Sequence, residues 1–359
     1  MVEEVTLAHI TKAHDEWAAA RENYNEERQA RDDQFFNGVE QHVKPVSYDK
    51  RLDRLRTSIC EGTGEWLGKD ETFKRWLDPT DNSTNVVWLQ GFPGAGKTYV
   101  ASLAVGHAST RGYELFAFLR YDEEATALSV LQSLIFQLAA VNKDLRETLC
   151  NELRSTTRDL RRDLKSSTSF AADILLKLVK CAPEPVYIVV DGLDEVERED
   201  RQLILERLLA LRDKIGSAGV TKLLISSRRE DNIERLLRNS CKVIRLDQNN
   251  SACIQRYIAR ETKLWLADFD EQIRSEIDSL LVLLPIDAEG GLTSRCFQIQ
   301  RFSAKSASSY RNVSLCPYCH EHHQDVTSSA GTCSPRAESP SQKFERSVIT
   351  ASVEPTHWD

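Results

Sequence analysis

Five short apolar runs punctuate an otherwise charged chain, and helical periodicity fills the gaps between them. Residues 86–89, 113–119, 186–190, 222–226 and 242–246 are rich in β-branched, aromatic and leucine residues and too short for helices, so they read as strands. The run Val186-Tyr-Ile-Val-Val190 is continuously apolar, as expected of a central parallel strand buried on both faces. Helical patterns follow at about 97–108, at 169–181 before Pro183 and Pro185, at 200–215 and at 250–263. In the helix after the second strand, Leu131, Leu134, Ile135 and Leu138 share one face. Residues 144–165 also read as helical, and there Arg154, Arg158, Arg161 and Arg162 interleave with Asp159 and Asp163, so a solvated face is expected rather than a nucleic-acid patch. Strands alternating with helices predict an α/β fold: a three-layer sandwich on a mainly parallel five-stranded sheet, with its ligand crevice at the carboxyl ends of the strands.

The flanks behave differently. From residue 1 to 37 there is no Gly or Pro, and Ile10, Trp17 and Tyr24 recur every seven residues with Ala13 and Ala20 between them. That spacing predicts a helix with a thin apolar seam fading at Arg28 and Arg31: a solvated helix lying lightly on its own chain, or a coiled-coil or partner-binding helix. Past 284 the pattern dissolves, and residues 293–359 are rich in Ser, Thr, Arg and Pro, which predicts disorder. Cys316, Cys319, His320, His322, His323 and Cys333 lie in that tail; zinc would find ligands there, but no second knuckle at standard spacing follows. The expected divisions are a charged helix at 1–44, a helical lead-in at 45–85, a nucleotide domain at 86–247, a helical extension at 248–285 and a mostly disordered tail at 286–359.

Composition narrows the classes. At 359 residues the chain has ample core, and its net charge of -8 argues against a general nucleic-acid binder. No apolar run approaches the length of a bilayer crossing, and the acidic start, Met1-Val-Glu-Glu, is unlike a targeting peptide. Nine scattered cysteines suit reduced thiols and a cytoplasmic setting.

The chemistry concentrates after the first strand. Gly91-Phe92-Pro93-Gly94-Ala95-Gly96-Lys97-Thr98 meets the P-loop pattern at every fixed position. Glycines let backbone N–H groups wrap a phosphate, and the following helix points its positive end at the same anion. Lys97 would reach the β- and γ-phosphates and Thr98 would hold Mg²⁺. Asp191, closing the third strand, is the expected second Mg²⁺ anchor. Asp194 or Glu195 would orient and deprotonate a water, unless the two merely cap the next helix. Arg228, at the tip of the fourth strand, is placed to read a γ-phosphate, with Arg229 as its competitor.

Gly91 to Thr98, Val189-Val-Asp-Gly-Leu-Asp-Glu195 and Ile225-Ser-Ser-Arg228 together resemble the NACHT domain of STAND-class signalling NTPases. Cys60-Glu-Gly-Thr-Gly-Glu-Trp-Leu67, with Phe73 and Trp76-Leu77, resembles the nephrocystin-type NACHT proteins of filamentous fungi, as does Ser133-Leu-Ile-Phe-Gln-Leu138. The resemblance spans about 51–264. It implies a switch that binds ATP or ADP with Mg²⁺, hydrolyses slowly, and self-associates to bring N-terminal effector segments together; of ATP and GTP, ATP is the favoured nucleotide. It assigns Lys97 and Thr98 to the P-loop roles, Asp191 to Mg²⁺, Asp194 and Glu195 to water activation and Arg228 to γ-phosphate sensing. Family chains usually continue into helical elements and repeats; no repeat of any period is visible here, so a member cut short after the NTPase portion is expected. A non-enzymatic interaction protein working through the N-terminal helix, and a nucleic-acid-stimulated ATPase, are the alternative functions.

Overall fold

The apolar runs assemble into one sheet. In the computed structural model, which describes residues 2–154, 160–216 and 219–266, the strands are β1 (Val86–Gln90), β2 (Tyr113–Phe118), β3 (Val186–Asp191), β4 (Thr221–Ser227) and β5 (Lys242–Arg245). Every pairing is parallel, in the order β2-β3-β4-β1-β5. Each residue of β1, β3 and β4 is buried; because successive side chains point to opposite faces, helices must cover the sheet on both sides. The architecture is therefore the expected α/β sandwich. The described residues all fall in the first of the two units into which the chain divides, Met1–Arg295.

The helices, in chain order, are α1 (Val2–Val43), α2 (Asp49–Ser58), α3 (Glu71–Leu77), α4 (Lys97–Ala108), α5 (Ala127–Val141), α6 (Lys143–Arg154), α7 (Leu160–Ser166), α8 (Thr168–Cys181), α9 (Arg198–Ile215), α10 (Asp231–Leu237), α11 (Leu246–Asn249) and α12 (Ser251–Leu266). Helix α4 packs along β1–β4, while α5 covers β2 and α9 covers β4. The stretch expected as one helix over 144–165 is described as α6 and α7, with 155–159 outside the described residues. The whole tail, including the candidate zinc ligands Cys316 and Cys319, also lies outside them.

The aromatics of the lead-in belong to the core. Asp70 caps α3 by accepting from the Phe73 backbone N–H at 2.9 Å, which turns Phe73 and Trp76 inward as a stacked pair 5.3 Å apart. Trp76 meets Tyr187 edge-on and donates its indole N–H to the Leu223 carbonyl at 3.0 Å, so α3 is stapled to β3 and β4.

Helix α1 is anchored near its C-terminal end. It continues past Gly38 to Val43 and ends only where Lys44 adopts a left-handed φ of 56° ahead of Pro45. It docks through Asp32, Phe36, Val39 and Val43, where the heptad seam has already faded, rather than through Trp17 and Tyr24. Phe36 packs on Phe136 of α5, Asp33 pairs with Arg146 at 2.6 Å, and the Arg154 guanidinium covers Phe35 while pairing with Asp32. Burial of Val39 and Val43 offsets the roughly 1 kcal/mol that a mid-helix glycine costs. Further out, Trp17 and Tyr24 stand about 60% exposed.

Phe36→Ala should therefore lower unfolding stability by about 3 kcal/mol in urea titration and open α1 to proteolysis. Deletion of residues 2–27 should leave the urea midpoint unchanged. Equal loss from both changes would contradict docking confined to the last third of α1.

Candidate functional site

Between β1 and α4 the backbone turns through two left-handed glycines, Gly94 at φ 73° and Gly96 at φ 83°. A Cβ on Gly96 would lie 2.9 Å from the Asn250 side-chain nitrogen, so both the conformation and the space demand glycine. Gly96 caps α4 without a side-chain acceptor, leaving the first-turn N–H groups and the helix dipole to act on an anion. The Lys97 ammonium folds back onto the carbonyls of Gly91 and Phe92, at 3.0 and 3.1 Å. Burial pushes its pKa down, against the pull of Asp194 and Asp191.

Two strands away, Asp191 ends β3. Strand β4 lies between, and its Ser226 hydroxyl and the Thr98 hydroxyl of α4 act on the Asp191 carboxyl. Asp191 is 1% exposed, and neither carboxylate oxygen has a hydrogen-bond partner of good geometry among the described residues. Burial drives its pKa up; the Ser226 and Thr98 hydroxyls and the charges of Arg51 and Lys97 oppose that. Two orphaned carboxylate oxygens beside a hydroxyl are the donor set of a hard divalent cation that takes its other ligands from water and phosphate, so the residues present fit Mg²⁺. No group of three or more His, Cys, Asp or Glu side chains that could hold a metal by themselves occurs among the described residues.

The turn after β3 places the other two acids. Gly192, at φ 75°, sits so close to β2 that a Cβ would approach the Leu119 carbonyl oxygen to 2.4 Å. The chain can then fold tightly back over the strand ends. Arg201 braces this turn by donating to the carbonyls of Asp194 at 2.8 Å and Val196 at 2.9 Å, with Glu230 as its ion partner. Asp194 is engaged twice by one residue: it accepts from the Arg228 backbone N–H at 3.0 Å and pairs with the Arg228 guanidinium at 2.9 Å. Among the described residues, Glu195 accepts a single long bond, 3.3 Å, from the Tyr121 backbone N–H. Burial first, then Asp191 and Asp194, raises its pKa. Arg229 turns away to pair with Glu234 of α10 at 3.0 Å, so of the two arginines only Arg228 faces the cradle.

The expected residues Gly91 to Thr98, Asp191, Asp194, Glu195 and Arg228 thus meet at the carboxyl ends of β1, β4 and β3. Three further residues join them without a local signal in the sequence. Arg51 of α2 donates to the Phe118 carbonyl at 3.1 Å and brings its charge to Asp191 and Glu195. Arg201 is one charged residue among many in α9. Asn250, between α11 and α12, bonds the Ala95 carbonyl at 2.8 Å and accepts from the Trp66 indole at 3.1 Å.

Residues 62–228 match the family described as Nephrocystin 3, N-terminal. No curated protein matches the chain. Among solved structures, it is similar to the Aeropyrum pernix Orc1 protein in complex with DNA, at 15% identity and a TM-score of 0.40, over 66% of this chain and 57% of that one. Cdc6p from Pyrobaculum aerophilum matches at 16% identity and a TM-score of 0.34, over 61% and 53%. A chain of the Escherichia coli MS115-1 HORMA:CdnC:Trip13 complex matches at 14% identity and a TM-score of 0.33, over 77% and 88%. The chain therefore spans little more than half of the first two. No helix among the described residues is long and apolar enough to cross a membrane.

Asp191 yields a stability test on protein free of nucleotide and metal. Because its folded pKa is raised, the folded state holds the proton more tightly than the unfolded chain. Its favourable contribution is full below the ordinary carboxylate range and is lost as pH rises through the folded pKa. Asp191→Asn should be more stable than the parent at pH 8 by roughly 1–3 kcal/mol, with the gap closing toward pH 4. Urea midpoints across that range measure it; a variant less stable at pH 8 would show the carboxylate to be paired after all.

Proposed function

We propose, on the premise that residues 62–228 are of the nephrocystin 3 N-terminal kind and carry a P-loop NTPase fold, that this chain is a NACHT-type nucleotide switch. It binds ATP, in preference to GTP, hydrolyses it slowly, and uses the bound nucleotide to control self-association. The observation that carries the proposal is the buried Asp191 carboxylate, without a well-aligned partner among the described residues, facing the Thr98 hydroxyl beside the Lys97 cradle.

In this reading the backbone N–H groups of residues 91–98 hold the phosphates, and Lys97 exchanges its two carbonyl contacts for phosphate oxygens. Thr98 and Asp191 would hold Mg²⁺, which would supply positive charge to offset that of the phosphates. Asp194 is occupied by Arg228, so Glu195 is the residue that orients the attacking water and takes its proton. The raised pKa of Glu195 suits a base. Asp194 acts through Arg228, holding the guanidinium at the strand tip until a γ-phosphate competes for it. The switch domain comprises residues 86–247, with the lead-in at 45–85 before it and the extension at 248–285 after it; of that extension the described part ends with α12 at Leu266. The exposed stretch of α1 around Trp17 and Tyr24 is the segment offered to a second copy or to an effector. The five described cysteines stand as free thiols, which suits a reducing cytoplasm.

Labelled ATP with Mg²⁺ should bind the wild-type chain, and Lys97→Ala should weaken binding about 100-fold. Turnover should lie near 10⁻⁴ to 10⁻² per second without DNA or RNA and stay there when either is added. Equal binding by Lys97→Ala would sink the proposal, and strong stimulation by nucleic acid would favour a nucleic-acid-driven ATPase.

Glu195→Gln separates the two acids. It should keep ATP affinity and lose turnover about 100-fold or more, whereas Asp194→Asn should also disturb ATP affinity by releasing Arg228. Rapid hydrolysis by Glu195→Gln would exclude Glu195 as the base. Sedimentation with ADP and with a non-hydrolysable ATP analogue, with and without residues 1–44, tests the link to self-association.

A further inference from the structure

The Ala95–Gly96 peptide sits in the middle of the cradle, and its direction is fixed from outside the loop. In a trans peptide the C=O and the following N–H point opposite ways. The Asn250 amide nitrogen donates to the Ala95 carbonyl at 2.8 Å, so the Gly96 N–H must face away from Asn250, toward the side on which an anion would sit. Asn250 is itself buried at 6% exposure, and its remaining acceptor takes the Trp66 indole N–H at 3.1 Å. Gly96 leaves no slack in this arrangement, since even a methyl group would strike the Asn250 amide.

Trp66 belongs to the lead-in, and the same lead-in is held at several points by α12. Cys253 Sγ accepts from the Gly64 N–H at 3.3 Å, Arg256 donates to the Gly62 carbonyl at 2.6 Å, and Arg260 to the Ser58 carbonyl at 3.3 Å. Asn250 is the one residue in this set that also touches the cradle.

We propose that Asn250 is a positioning residue for the phosphate cradle: it orients the 95–96 peptide and, through Trp66, couples cradle occupancy to the 58–66 lead-in. The inference rests on the nucleotide-binding reading above. Flipping or loosening the 95–96 peptide withdraws one inward N–H, and a nucleotide that fixes the peptide also fixes Asn250 and, through it, the lead-in.

The test uses the full chain, Mg²⁺ and a fluorescent N-methylanthraniloyl ADP, with amide hydrogen exchange read separately over 58–66 and 91–98. Asn250→Asp keeps the acceptor for Trp66 but sets a carboxylate against the Ala95 carbonyl; it should weaken the probe about tenfold or more. Trp66→Phe keeps an aromatic ring but removes the indole N–H, and leaves the Asn250–Ala95 bond in place; it should weaken the probe about threefold or less. In the wild type the probe should slow exchange in both segments. In Trp66→Phe the slowing should persist at 91–98 and vanish at 58–66, which a purely structural role would not produce. Asn250→Asp binding within twofold of wild type would overturn the positioning role, and wild-type slowing confined to 91–98 would overturn the coupling. Trp66→Phe still decides the coupling should Asn250→Asp fail to fold. Wild-type protein that is folded yet does not bind the probe, matching Lys97→Ala, would instead overturn the nucleotide-binding reading itself.

Discussion

A carboxylate sunk at the end of a buried strand, with no well-aligned hydrogen-bond partner for either oxygen among the described residues, sets the terms for everything around it. Leaving a charge in that state costs several kcal/mol unless something neutralises it, and Asp191 raises its own pKa in response. The neighbouring groups ease the penalty without removing it. Ser226 and Thr98 offer hydroxyls, while Lys97 and Arg51 offer charge at a distance. The described site holds three carboxylates, Asp191, Asp194 and Glu195, against three cations, Lys97, Arg228 and Arg51. A polyphosphate entering so balanced a site brings an excess of negative charge, which a divalent ion between phosphate and Asp191 would offset.

Sheet order converts that local need into a site. Had β1 and β3 been neighbours, the cradle and Asp191 would lie about 5 Å apart across the sheet, with no room for a third element. With β4 inserted, Ser226 reaches Asp191 from one strand end and Arg228 reaches Asp194 from the next residues along. The two acids after Gly192 then diverge. Asp194 points back at β4 and is held by Arg228; Glu195 points toward the loop after β2 and keeps only the Tyr121 N–H. Adjacent in sequence, they occupy environments suited to different tasks.

Much of this was legible in the sequence because backbone sterics and strand burial leave local marks. Gly94 and Gly96 had to be glycine for φ, and β3 had to be apolar on both faces. The end of β3 had to carry whatever polar group the site required. Asp194 and Glu195 could not be separated from sequence, because the difference lies in a contact with Arg228, more than 30 residues away. Strand order left no mark, and neither did Arg51, Arg201 or Asn250, whose contacts follow no period or spacing in the chain. The N-terminal helix misled in an instructive way. A heptad seam at Ile10, Trp17 and Tyr24 drew the eye, yet docking falls on Phe36, Val39 and Val43, where charged Asp32 and Asp33 find arginines on α6. Hydrophobic spacing reports that a face exists; it does not report which face meets the body of the protein.

The contacts of α12 carry the argument one step beyond the cradle. Asn250, Cys253, Arg256 and Arg260 recur at spacings of three to four residues, so a single face of that helix, beginning at the residue before its first turn, addresses residues 58–66. Its partners there are mostly backbone carbonyls and an N–H, which any side chain in the lead-in could have presented. Sequence identity in the lead-in matters mainly where shape does: Gly62 and Gly64 at positive φ, and Trp66, whose indole N–H is the only side-chain donor of the lead-in that reaches Asn250 among the described contacts. The segment leaving the sheet and the lead-in before it therefore meet, through Asn250, at the Ala95–Gly96 peptide.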